Sequence, residues 1–192
     1  MGAAIGSPAD LAAMLNERLG PDAPVRLSTT SGLGENRLTP RQIVAMLRGF
    51  RETAESLGLR VESLLPVSGC DPGTVTATFP ALASGPNAGA LVGKTGTLTS
   101  TDGGVTSLAG FLRTSEGEFV FCVAAPNVAG RIRVARRTEE RWVLDRLSRH
   151  GGARAPACLD PLVNPGEGAD IAVAEVRDPR GSGAAGAAAS SR

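Results

Sequence analysis

Two strand-like stretches, Ser107–Thr114 and Glu118–Ala125, are separated only by Ser115-Glu116-Gly117. A link this short with a terminal glycine predicts an antiparallel hairpin. In the second stretch both alternating sets are apolar: Phe119, Phe121 and Val123 on one side, Val120, Cys122 and Ala124 on the other. Strand side chains alternate between faces, so such a strand is expected to be covered on both. A third strand-like segment, Ala90–Leu98, precedes the hairpin. The rest of the chain must therefore supply layers for a sheet. With 192 residues there is room for one ordinary domain but not two. Aromatics are only 3% and Tyr is absent, so Leu, Val and Ala must fill most of the core.

The covering elements are legible as helices. Ser7-Pro8-Ala9-Asp10 sets an N-cap, a proline at the first position and an acid behind it. Leu11, Leu15 and Leu19 then share one face, ending at Gly20. Val25–Ser28 reads as a short strand. Thr39-Pro40-Arg41-Gln42 forms a capping box before Ile43, Leu47, Phe50, Ala54 and Leu57, and Gly58 closes that helix. Leu64–Gly89, rich in Pro, Gly, Ser and Thr, reads as an irregular connection. Arg131–Arg149 predicts a long helix with Ile132, Ala135, Trp142, Val143 and Leu147 on its apolar side. Beyond Gly151 periodicity fades into GSGAAGAAASSR, expected to be disordered. The expected organisation is a domain over 1–150 and a low-complexity tail over 151–192. The expected class is α/β (α+β), with helices packed on an antiparallel sheet.

Composition excludes several functions. The net charge of +1 gives no global attraction to nucleic acid or anionic lipid. The final helix carries seven arginines, but one Trp and no Tyr leave few aromatics to stack on bases, so no nucleic-acid partner is expected. No apolar run is long enough to span a membrane, and the first ten residues lack the basic and apolar regions of a signal peptide. Cys70, Cys122 and Cys158 lie far apart without CxxC spacing, which argues against a zinc site and a dense disulfide framework. Cys122 reads as a small core residue. The lone histidine, His150, falls at a helix end beside two glycines, a poor place for a catalytic base.

Chemistry concentrates at the only lysine. Gly93-Lys94-Thr95-Gly96-Thr97 lies within the first strand-like segment, where alternation puts Lys94 and Gly96 on one face. Glycine at 96 leaves the space beside the ammonium free, and an ammonium, a hydroxyl and a bare backbone edge suit a carboxylate. Lys94 is accordingly expected to project from a sheet border into a groove. A rival reading takes Ala88–Thr95 as a loose P-loop, AxxxxGK[ST], although the following TGTLTSTDGG is poor helix sequence.

KTGTLTS followed by GGVTSLAGFL resembles the third motif region of serine penicillin-recognising enzymes. The nearest likeness is to the D-alanyl-D-alanine carboxypeptidase/endopeptidase family, the class C low-molecular-mass penicillin-binding proteins. Ser31–Pro40 resembles that family's SGLSRxNRxTP segment, although Thr29-Thr30 replaces the usual Asp-Gly before it. Leu65-Pro66-Val67-Ser68-Gly69 with Asp71 and Gly73 resembles its LPVAGxDGT segment, and the three stretches keep the family's order. The resemblance implies a partial penicillin-binding-protein/serine β-lactamase-like transpeptidase fold. It also implies a serine acyl-enzyme mechanism on D-Ala-D-Ala stem peptides of peptidoglycan, without cofactor or metal. Lys94, Thr95 and Gly96 would form the substrate-binding strand, with Lys94 and Thr95 holding the carboxylate. The Thr97 N–H would be one of two oxyanion-hole donors.

The nucleophile motifs are missing. S-x-x-K requires a lysine, and Leu91 stands three residues before Lys94. S-x-N fails at every asparagine: Met14, Gly34, Gly85, Ala125 and Leu162 stand two before Asn16, Asn36, Asn87, Asn127 and Asn164. The chain is therefore expected to be the C-terminal half of such an enzyme and inactive alone, with stem peptides and β-lactams as ligands only when an N-terminal half completes it. A non-catalytic remnant or binding module is the alternative. Removal of that half is expected to uncover Phe50 and Phe111. The family works outside the cytoplasmic membrane, whereas this chain has no export signal of its own.

Overall fold

The computed structural model describes residues 7–19, 24–30, 36–154 and Cys158. Two helices come first, α1 (Pro8–Leu19) and α2 (Pro40–Ser56), then the short α3 (Thr74–Thr78). Strands β1 (Leu91–Leu98), β2 (Val105–Thr114) and β3 (Gly117–Pro126) follow, and α4 (Ile132–Arg149) closes the order. The strands form an antiparallel sheet in the order β1-β2-β3. The register sets Leu91 opposite Leu112 and Arg113 opposite Glu118.

Helices cover both faces because β2 presents apolar side chains to both. Leu108 and Leu112 point to one side, where they pack with Leu91, Phe121, Val75, Phe79, Leu82 and the α4 residues Val143 and Leu147. Phe111 points to the other, among Val61, Val67 and Val92, with Leu47 of α2 against them. The two-faced strand is thus β2, not β3. Of β3 only Phe121 is buried, and Phe119 is 38% exposed. An edge strand has a neighbour on one side alone, and α4 packs over β2 more than over β3, so the face of β3 that carries Phe119 is shielded only in part.

Phe111, expected to be uncovered, is fully buried. The Arg51 guanidinium of α2 sits 4.2 Å above its ring centroid, a cation–π contact that places the charge over apolar surface. Arg51 pairs in turn with Glu118, and Arg113 with Glu118 and buried Glu62, so the charges on this face are compensated. Phe50, with 37% of its surface exposed, is uncovered as expected.

Two expectations about the connections are corrected. Leu64–Gly89 is a built segment: it includes α3, and Val67, Val75, Phe79 and Leu82 enter the core. Local side-chain bonds replace periodicity there. Asp71 Oδ2 accepts from the Val67 N–H (2.8 Å), Thr76 Oγ1 donates to the Asp71 carbonyl (2.7 Å), and the Gly69 N–H donates to Thr76 Oγ1 (3.0 Å). Val25–Ser28 is not a strand but a single bridge between Arg26 and Arg37. The Asn16 side chain occupies both backbone groups of Val25, at 2.6 and 3.2 Å, and so competes with a ladder.

The body continues past residue 150. Ala153 bridges Thr114, and the Arg154 N–H donates to the Arg113 carbonyl. Cys158 is joined to Cys70 by a disulfide. The remainder of the expected tail, residues 155–157 and 159–192, lies outside the described residues, as do Ser31–Glu35 of the SGL-like segment.

Candidate active site

The Lys-Thr-Gly segment lies wholly within β1. Its register is Lys94 opposite Ala109, Thr95 opposite Leu108, Gly96 opposite Ser107 and Thr97 opposite Thr106. Lys94 and Gly96 share the sheet face of Val92 and Phe111, while Thr95 and Thr97 share the face covered by α4.

The outer border of β1 is defined by its backbone hydrogen bonds. The Gly93 N–H donates outward to the Pro66 carbonyl (2.9 Å), and the Leu91 carbonyl accepts outward from the Ser68 N–H (2.8 Å). In a strand the backbone groups of alternate residues point to the same side. Thr95 and Thr97 therefore aim their N–H and C=O groups away from β2, beyond the point where Pro66–Ser68 stops covering the border. The Lys94 ammonium is exposed and donates to the Thr95 carbonyl at 3.0 Å.

The threonine side chains are held from behind. Thr95 Oγ1 shares a hydrogen bond of 2.9 Å with Thr74 Oγ1 at the start of α3. Thr97 Oγ1 accepts from Nη2 of Arg136 on α4, at 2.7 Å. Two glycines set the spacing of the strands. A Cβ on Gly93 would lie 2.5 Å from the Ala109 carbonyl oxygen, and one on Gly96 2.5 Å from Ser107 Oγ. Gly96 thus makes room for Ser107, a hydroxyl on the lysine's own face. Thr74, Ser107 and Arg136 were not singled out from sequence: they lie on other elements, and no local spacing links them to Lys94.

Behind Thr97 lies a buried acid. Glu139 of α4 accepts from Thr106 Oγ1 at 2.7 Å, while its Oε2 has no partner among the described residues. Burial raises its carboxyl above the usual range, against the lowering effects of the Thr106 hydrogen bond and the Arg136 charge.

Lys94 stands at the border of the sheet formed by the described residues. Three concavities are lined by α1 with α2, by α3 with α4, and by Arg51, Glu62 and Arg113; none of the three includes Lys94. α2 packs over β2 and β3, and the Lys94 side chain on that sheet face is exposed. The P-loop reading is excluded: that loop leaves a strand and opens a helix, whereas Gly93-Lys94-Thr95 continues as strand to Leu98.

An antiparallel sheet between helical layers is the fold of penicillin-binding-protein-like peptidases. The chain belongs to the D-Ala-D-Ala carboxypeptidase 3 (S13) family, whose sequence model matches residues 13–144. Among solved structures it is similar to the Bd0816 predatory endopeptidase from Bdellovibrio bacteriovorus in complex with immunity protein Bd3460. The TM-score is 0.67 at 22% identity, over 79% of this chain and 39% of that one. Penicillin G acylated Bd3459 predatory endopeptidase from the same organism, also with Bd3460, gives 0.67 at 20% identity, over 79% and 41%. Bd3459 described as a predatory peptidoglycan endopeptidase gives 0.66 at 20% identity, over 79% and 39%. The chain thus spans about two-fifths of these structures. No curated protein sequence matches it. No helix among the described residues is long and apolar enough to cross a membrane.

Proposed function

We propose that this chain supplies the carboxylate-gripping wall of a serine D-Ala-D-Ala peptidase acting on peptidoglycan stem peptides, and that it does not catalyse alone. The observation that carries the reading is the outer border of β1, where an exposed ammonium, a threonine hydroxyl and outward backbone groups lie within four consecutive residues. Lys94 and Thr95 would bind the terminal carboxylate with charge-assisted hydrogen bonds. The Thr97 N–H would donate to the developing oxyanion. The attacking serine and its proton acceptor must come from an S-x-x-K segment, and Leu91 stands where that serine would be relative to Lys94.

The test is a fluorescent penicillin incubated with the purified chain, followed by denaturing electrophoresis. No denaturation-resistant band is expected. A stoichiometric band would show that a serine of this chain is the nucleophile and would overturn the division of labour. The same incubation with a separately produced segment bearing S-x-x-K and S-x-N is expected to label that segment. Lys94→Ala in this chain should slow the labelling at least about tenfold, the loss of one charge-assisted contact.

A further inference from the structure

The arginines of α4 divide into two sets. Arg146 and Arg149, in its last turns, pair with Asp145. Arg133, Arg137 and Arg141 stand exposed at successive steps of four, and none has an ion-pair partner among the described residues. Residues four apart on a helix share one face, about 6 Å apart along the axis. Like charges at that spacing destabilise a helix, so the row weakens the element that carries it. Arg133 and Arg137 also line a cleft of about 830 Å³ between α3 and α4, where Arg136 adds a further guanidinium. Two acids lie in this stretch: Glu139 is buried, and Glu140 turns its Oε1 to the Ala81 N–H at 2.8 Å. Cations therefore outnumber anions along this surface, although the net charge of the chain is only +1.

We propose that this arginine row, with the cleft beside it, binds a linear, base-free phosphate polymer of the polyol-phosphate or polyphosphate type. It does so independently of the β1 reading. A row of cations one helical turn apart suits a chain with one anion per repeat, and guanidinium forks fit the paired unesterified oxygens of each phosphate. Bases would need rings to stack on, and Trp142 of α4 is taken by Phe121 and Arg146. A bilayer would need an outward apolar face, and Val134 is the one strongly exposed large apolar residue of α4.

The experiment titrates the full chain with long-chain inorganic polyphosphate and with orthophosphate, by calorimetry over a range of salt concentrations. Polyphosphate should bind at least about tenfold tighter per phosphate than orthophosphate. Log affinity should fall against log salt with a slope of about −2, roughly 0.7 for each of three contacts. Arg133→Gln/Arg137→Gln/Arg141→Gln should lose the polymer's advantage and melt no lower than the wild type, because the repulsion along the row is relieved. Should that variant melt lower, Arg137→Gln alone should take about 0.7 off the slope. Arg146→Gln/Arg149→Gln, which removes the paired set, should keep the wild-type affinity. Polyphosphate no tighter than orthophosphate, or undiminished binding by the row variants, overturns the proposal. Poly-glutamate, oligodeoxythymidine and phosphatidylglycerol vesicles are titrated in parallel. Binding of any of these as tight as polyphosphate or tighter would make the partner an acidic polypeptide, a nucleic acid or a membrane, and would overturn the proposal too.

Discussion

Glu139 is the residue at which burial and charge conflict most directly. It sits between α4 and β2 with one oxygen bonded to Thr106 and the other unpartnered among the described residues. Its carboxyl titrates above the usual range, chiefly because burial disfavours the charged form. Between the unfolded and folded pKa values the native state therefore keeps a proton that the unfolded chain releases. Linkage then makes this group's contribution fall as pH rises through the folded value, the reverse of a salt-bridged carboxylate. The melting temperature of the wild-type chain, compared with Glu139→Gln between pH 4 and 8, should decline with rising pH by an excess that the variant lacks. Parallel curves would mean that Glu139 does not titrate in that window. The Cys122 thiol is also raised, by burial first and by the Glu139 charge second, so one buried carboxylate also bears on the free thiol of the sheet.

At the scale of elements, legibility followed local chemistry. The start of α2 was readable because Thr39 Oγ1 accepts from the Gln42 N–H (3.2 Å) and Gln42 Oε1 from the Thr39 N–H (2.7 Å), two bonds spanning four residues. Thr39→Ala should cost about 1 kcal/mol, a fall of roughly 2–4 °C in melting temperature for a chain of this size. Thr39→Ser should restore most of it, and an unchanged melting temperature for the alanine variant would show that the box contributes nothing. The three strands and α4 were readable for a similar reason, since alternation and helical spacing are properties of contiguous residues. What escaped was set by distant partners. Nothing in TVTAT announces α3, whose Val75 enters the core beneath β1. Nothing in β3 tells that it ends the sheet of the described residues, because its composition describes coverage and not the order of strands. The site divided the same way. Lys94-Thr95-Gly96 is a local motif, while Thr74, Ser107 and Arg136, which fix its threonines and its spacing, arrive through tertiary packing.

For the molecule as a whole, the decisive constraint is the cross-link between Cys70 and Cys158. These cysteines are separated by 88 residues, a distance that made them look unrelated in sequence. The loop they close contains α3, all three strands and α4, and with them the whole candidate site. Closing a loop of that length removes conformational freedom from the unfolded chain, worth about 4–5 kcal/mol in the loop-entropy model. That is comparable with the entire net stability of many domains. Such a bond persists where thiols are not held reduced, so the protein is expected to be robust in an oxidising compartment and fragile in a reducing one. Thiol titration of the denatured, unreduced protein should find one free thiol, Cys122, and three after reduction. Reduction should lower the melting temperature by roughly 10–20 °C, taking about 2–4 °C per kcal/mol. Cys158→Ser should melt near the reduced wild type and be insensitive to reductant. Three free thiols before reduction, or a melting temperature that reductant leaves unmoved, would show that packing alone holds β1 and α4 together.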